Sequence, residues 1–430
     1  MTHQTEEVQL KNGAKGLLIN IPGATVMDFE FNFRAGEYLV DRPKWEVPHI
    51  MEHVLLGANQ FIPKARLFQA EFEKNGAANN ASTGFYYITY EAECADFEWQ
   101  RILELMLVAI SKPLFLREEF LAEYGNVKDE LVSRSNNHFR TLSLTAREEH
   151  GLLAMTDRER LRQMKNVRLR DIKEHYERTH TTNNMRFIVA GDLKGRMPAI
   201  KRMLEGVAMP KGRKQFDLPQ ELPHKLEQPV FIARPSVKNV YFDIDTFALT
   251  RFSDEEMDAL ELVNGMLTAT LYSRILGEAR ERGLVYNMGS GLEVMRSATE
   301  WWFSAQVIAK NAPALFEIIV REINRVKAGD ISREDLDAAK QYWLGRHQRS
   351  AQTVGGTMNG YTGRYYFDGI INDYNAIPER IKGVTKDCIV QATNRMFSDN
   401  IGGLAVLGGG GRSRELAERL NEMIQPLWAN

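Results

Sequence analysis

The chain has 430 residues, 43% of them apolar and 26% charged, the make-up of a globular protein too long for one ordinary core. Lys and Arg total 55 against 57 Asp and Glu, so no basic excess points to nucleic acid. Two cysteines, Cys94 and Cys388, give no disulfide framework, and no run approaches the ~20 apolar residues that span a bilayer.

The opening MTHQTEEVQL has neither a basic cluster nor an apolar stretch. A secretory signal is therefore not expected, and with so few thiols a cytoplasmic location is. DFEFNFRAG then places Phe29, Phe31 and Phe33 on one face of a strand by period-two alternation. A helical stretch follows at 46–57, a strand in FYYITYEA (85–92), long helical segments over 96–150, and an apolar strand running into glycine in MRFIVAGD (185–192). From Pro210 to Pro229 the periodicity stops, and four prolines among charges mark a linker. The expected domains are 1–213 and 229–430, joined by 214–228.

Beyond the linker the order repeats. VYFDIDTFA sets Val240, Phe242 and Ile244 on one face, a helical stretch covers 254–282, WWFSAQVIA (301–309) is a strand, 312–349 is helical, and GLAVLGGG (403–410) runs into glycine. Adding about 215 to a first-half position lands near its counterpart throughout, which indicates duplication. The fold class is α+β: two duplicated domains, each a mostly antiparallel sheet with helices packed on one face. Gly408–Gly411 imitates a phosphate loop, but the spaced third glycine is missing and too little chain follows for a further strand with its acidic residue.

VPHIMEHVLLGA carries the chemistry. Pro48 suits a first helical turn, and His49 and His53, four apart, lie one above the other on one helix face. Two imidazoles so placed can share one metal ion, while Glu52 beside them can reach a water on it: the H-x-x-E-H motif of inverted zinc peptidases. A catalytic zinc site needs a third ligand from another element. REEFLAEYGNVKDELVSR (117–134) reads as a helix with Glu123 and Glu130 two turns apart on one face, and Asp129 about 100° round from Glu130. In the second half, positions 49, 52, 53 and 130 map near Asn264, Leu267, Thr268 and Gly345, so that half is expected to be metal-free.

With these residues the chain resembles the pitrilysin/insulinase family of inverzincin metallopeptidases, in which the H-x-x-E-H helix is completed by a downstream glutamate preceded by another seven residues earlier. Glu130 stands 77 positions after His53, and Glu123 seven before Glu130. The resemblance implies that Glu130 is the third ligand of one Zn²⁺ per chain, that Glu52 is the catalytic base, and that Glu123 supports the site from behind. GAANNASTGFYYITYEA is similar to the family's substrate-pairing edge strand, its recurring residues here being Asn80, Ala81 and Thr83. LYSRILGEARERGLVYNMGSG is similar to a second-domain segment whose tyrosine and a nearby arginine contact substrate. The tyrosine is Tyr286, after Gly283 and Leu284; the family's arginine stands seven residues before it, where this chain has Ala279, leaving Arg280 or Arg282, of which Arg280 is preferred. The implied protein is a zinc endopeptidase for extended or unfolded peptides, a homodimer whose two domains face each other across a cleft and close on substrate. A processing peptidase for one precursor and a non-catalytic peptide-binding subunit are the alternatives, though relatives of the last kind lose the metal motif kept here.

Overall fold

Alternating apolar residues build two sheets in the computed structural model, which describes residues 2–428. The first sheet contains β1 (Gln4–Gln9), β2 (Lys15–Asn20), β3 (Val26–Phe33), β4 (Ala78–Thr83), β5 (Ile88–Ala95) and β6 (Met185–Gly191), in the order β1-β2-β6-β3-β5-β4. The second contains β7 (Val230–Ala233), β8 (Val240–Ala248), β9 (Met288–Val294), β10 (Thr299–Val307) and β11 (Ile401–Gly408), in the order β7-β11-β8-β10-β9. Each sheet is antiparallel except for one parallel pair, β2 with β6 and β7 with β11. Leaving out β1, the two orders are the same: the α+β repeat expected from the sequence is present strand for strand.

In β3, Phe29, Phe31 and Phe33 are fully buried in a core that includes Ile50, Met51, Ile102, Met106 and Ile172 from the covering helices. In β8 the matching face carries Val240, Phe242 and Ile244, with the Phe242 ring edge-on to Phe316. β4 and β9 are the free edges on the same side of their sheets.

The opposite faces are acidic. Asp28 and Glu30 alternate with the β3 phenylalanines, and Asp243 and Asp245 alternate with the core residues of β8; all four are buried. What buries them is a helix from the other half of the chain. One compact unit is Met1–Val132, Arg158–Leu218 and Arg349–Tyr374; the other is Ser133–Asp157, Pro219–Gln348 and Asn375–Asn430. The break between Leu218 and Pro219 lies in the proline-rich stretch, yet relative to continuous spans 1–213 and 229–430 each unit takes one segment from the other half.

In the first unit the helix Val354–Asp368 lies on β3 and β6, with Gly355 so near the sheet that a Cβ there would stand 3.4 Å from Asp28 Oδ2. Arg34 donates to the Phe367 carbonyl (3.0 Å) at that helix's C-terminal end, where a cation suits the helix dipole. In the second unit the helix His138–Glu149 lies on β8 and β11, its Arg147 donating to Glu293 (3.1 Å) and Glu300 (3.0 Å). Among the described residues no helix is long and apolar enough to cross a membrane.

Candidate metal centre

The helix Val47–Leu55 turns Ile50, Met51, Val54 and Leu55 into the core, with Pro48 in its first turn. That inward stripe leaves His49, Glu52 and His53 on the other flank, where one ligand atom of each lies within 4.8 Å of the others. The helix Arg117–Arg134 anchors itself with Phe120, Val127 and Leu131 and brings Glu130 to the same place. Glu130 Oε2 is 3.2 Å from His49 Nε2 and 3.8 Å from His53 Nε2. Donor atoms about 2.0–2.1 Å from a tetrahedral zinc ion stand roughly 3.4 Å from one another, so these spacings fit a shared ion. Asp129 is exposed on the neighbouring flank.

Each imidazole is also held from behind. His53 Nδ1 meets Glu123 Oε2 at 3.0 Å, and His49 Nδ1 meets Glu46 Oε2 at 3.0 Å. With Nδ1 so engaged, each ring presents Nε2 to the position a cation would take, the usual arrangement around a metal-binding histidine. Burial by itself would pull the His49 imidazole down, but its hydrogen bonds to Glu130 and Glu46 outweigh this and push it up to about 9. A metal ion would replace that proton. Burial pushes the Glu52 carboxyl up from its ordinary value, against the pull of the His53 and His49 charges.

The edge-strand residues take different parts. Thr83 donates through Oγ1 to Glu52 Oε2 (3.1 Å), which fixes the carboxylate from β4. The Asn80 amide is tied across the hairpin to Glu91 (2.8 Å), and Ala81 pairs with Tyr90. β4 as a whole presents its outer edge unpaired by any other strand among the described residues.

In the second unit Tyr286 is 84% exposed at the rim of a 690 Å³ pocket lined also by Phe139, Met288 and Gly289. The Arg280 guanidinium lies over its ring, 4.8 Å from the centroid, and donates to the Tyr286 carbonyl. Arg282 instead donates to Glu278 (3.0 Å). Of the two arginines weighed from the sequence, Arg280 is the one paired with Tyr286.

Reading the sequence missed Glu46, Arg160 and Glu37, which form a buried chain behind His49. Glu46 carried a signal, being one helical turn before His49. Arg160, over a hundred residues away, carried none.

The chain matches two protein families: the family described as Insulinase (Peptidase family M16) over residues 47–156, and the Peptidase M16 inactive domain over residues 166–342. The H-x-x-E-H helix and Glu130 fall within the first match; the second covers mainly the half without these residues. Among solved structures, a protease from Helicobacter pylori is 18% identical with a TM-score of 0.82, over 95% of this chain and 100% of that one. A peptidase M16 inactive domain from Pseudomonas fluorescens is 17% identical with a TM-score of 0.82, over 95% and 99%. At such identities the likeness is one of fold. No curated protein matches the chain in sequence.

Proposed function

The chain belongs to the insulinase family of peptidases, peptidase family M16, and from that premise we propose that it is a zinc-dependent endopeptidase acting on extended or unfolded peptides. The observation that carries the reading is the convergence of His49 Nε2 and His53 Nε2 on one oxygen of Glu130, with Glu52 beside them. In this reading His49, His53 and Glu130 hold one ion per chain. Bound zinc would supply a Lewis acid and a water whose pKa falls toward about 7.

The remaining work belongs to the protein. Glu52, oriented by Thr83, accepts the proton of the attacking water and passes it to the departing amine, help worth about 10²–10⁴-fold. The open edge of β4 at Asn80–Thr83 pairs with an extended backbone, which gives affinity without tight sequence preference. By the family resemblance, Tyr286, its ring backed by Arg280, is assigned to donate to the carbonyl oxygen as charge develops there, and Arg282 to contact the same peptide. Self-pairing as a homodimer, measurable by sedimentation velocity, completes the proposal.

The test is mass-spectrometric mapping of cleavage in a mixed peptide library, with and without chelator. Chelator-sensitive cuts at many positions are expected. Cuts confined to one sequence would replace the reading by a dedicated processing peptidase. An absence of cutting at full zinc loading would leave a non-catalytic peptide-binding subunit.

A further inference from the structure

Behind His49 lies a chain of charges that the reaction itself does not use. Glu46 precedes the metal helix and is completely buried. Its Oε2 faces His49 Nδ1 at 3.0 Å, while Arg160, from the helix Asp157–Gln163, donates through Nε to Oε1 and through Nη2 to Oε2 (3.2 Å). Glu37 also faces Arg160, its Oε1 3.4 Å from the same Nη2. Both are buried almost as fully as Glu46.

A carboxylate removed from water at this depth costs several kcal/mol unless it is paired and hydrogen-bonded. Arg160 supplies the pairing, donating to both oxygens of the Glu46 carboxylate. An ion pair serving only to close the core would not need to spend an oxygen on the imidazole edge opposite the ligand atom. Here it does, and His53 shows the same arrangement independently, with Glu123 on Nδ1 and Nε2 turned to Glu130. Glu123 is partly open to solvent, whereas Glu46 is not, so water cannot stand in for Glu46.

We infer that Glu46, clamped by Arg160, is a positioning residue for the metal: it receives the Nδ1–H of His49, fixes the ring, and leaves Nε2 as the ligand atom. The inference rests on the metal-binding reading above and concerns affinity for the ion. Removing such a partner of a metal-binding histidine typically costs 10–100-fold in metal affinity. Arg160 acts through Glu46 and is two residues past Arg158, where the chain re-enters the first unit.

The experiment measures zinc affinity of the full chain by competition with a chromophoric chelator, together with the visible spectrum of the cobalt(II)-loaded protein. Glu46→Ala alone would strand Arg160 as a buried unpaired charge, so the principal variant is Glu46→Met with Arg160→Met, which removes both charges and keeps the bulk, while Glu37, whose carboxyl burial already pushes up, takes a proton once Arg160 is gone. Its zinc Kd is expected to rise about 10–100-fold, with an altered cobalt spectrum, while circular dichroism stays that of the parent. Glu46→Gln, which keeps an acceptor but removes its charge and so weakens the bond from the Nδ1–H, is expected to raise the zinc Kd less than the double variant but more than threefold. A folded double variant that binds zinc within threefold of the parent overturns the inference and makes the pair a structural element only. If the double variant does not fold, Glu46→Gln decides, and parental affinity with a parental cobalt spectrum overturns it equally. A parent chain that binds no zinc would instead overturn the metal-centre reading, and this inference with it.

Discussion

Where the first half carries His49 and His53, the second carries Asn264 and Thr268, each pair four apart on the helix that follows the same strand of the repeat. The second pair is not an empty remnant. Asn264 Oδ1 accepts from Trp301 Nε1 (3.0 Å) and from Ser290 Oγ (2.5 Å), and Thr268 hydrogen-bonds to Ser290 as well. Position 345, the counterpart of Glu130, is a glycine with open space around it. In one unit the polar groups of this helix are ionisable and gathered at a shared point, each held by a hydrogen-bond partner. In the other they are neutral and satisfy one another. The comparison teaches that the sheet and helices supply only the place. The proposed chemistry rests on four side chains there and on the carboxylates that hold the two imidazoles.

The largest effect expected from breaking this difference is at Glu52. Glu52→Gln keeps the size and the Thr83 contact but cannot accept a proton, so peptidase activity should fall about 10²–10⁴-fold. Zinc content, measured by atomic emission, should stay at the parental level, since in the proposed site the ligands are His49, His53 and Glu130. A variant cleaving a reporter peptide near the parental rate would remove Glu52 from the mechanism. Next in size is the ligand choice on the helix Arg117–Arg134. Glu130→Gln should lower zinc retention after dialysis at least tenfold, within the range for weakened metal sites. Asp129→Asn, on the exposed flank, should leave zinc retention unchanged. The opposite pattern would transfer the ligand role to Asp129.

A third substitution sharpens the comparison from the metal-free side. Asn264→Leu removes the acceptor of the Trp301 indole N–H, which is fully buried, and of the Ser290 hydroxyl. Leaving the buried indole N–H unpaired costs about 1–3 kcal/mol, to be read from urea unfolding. Zinc content should not change. A variant as stable as the parent would show that Asn264 fills its position without organising it.

Much of this was legible before any coordinates, for physical reasons. Alternation in DFEFNFRAG and VYFDIDTFA reports which face of each strand is apolar, and the spacing of His49, Glu52 and His53 reports their shared helix face. The family of peptidases and the α+β repeat followed from such local signals. The exchange of the helices His138–Glu149 and Val354–Asp368 did not. An amphipathic pattern says that a helix has a covered side and is silent about which sheet covers it. The same limit hid Arg160, whose partner Glu46 is distant in the chain. It hid too the reason that Asp28, Glu30, Asp243 and Asp245 sit on strands at all: their faces read as solvent-facing in a strand pattern, and the exchanged helices bury them.

Those acidic faces give the finest contrast, read as a change of stability with pH. Burial, with Glu93 and Glu91 nearby, pushes the Asp28 carboxyl up to about 7, and burial, with Glu91 and Asp28 nearby, pushes Glu30 up to about 7. In the second unit, burial and Glu300 raise Asp243 well above the ordinary range. A carboxyl whose folded pKa is raised favours the folded state only while it is protonated. Its contribution is whole below the unfolded value near 4 and is lost as pH rises towards the folded value, with a slope of at most about 1.4 kcal/mol per pH unit for each group. Asp28→Asn removes this loss, so its stability relative to the parent should improve from pH 4 upward and level off near pH 7. Asp243→Asn should gain in the same sense as pH rises from 4, because burial beside Glu300 raises that carboxyl too. Urea unfolding of both variants and the parent between pH 5 and pH 9 measures the two curves. Parallel curves would mean that the two exchanged helices bury their carboxylates equally. A gain independent of pH in either variant would mean that the carboxylate in question ionises in the folded protein as freely as in the unfolded chain.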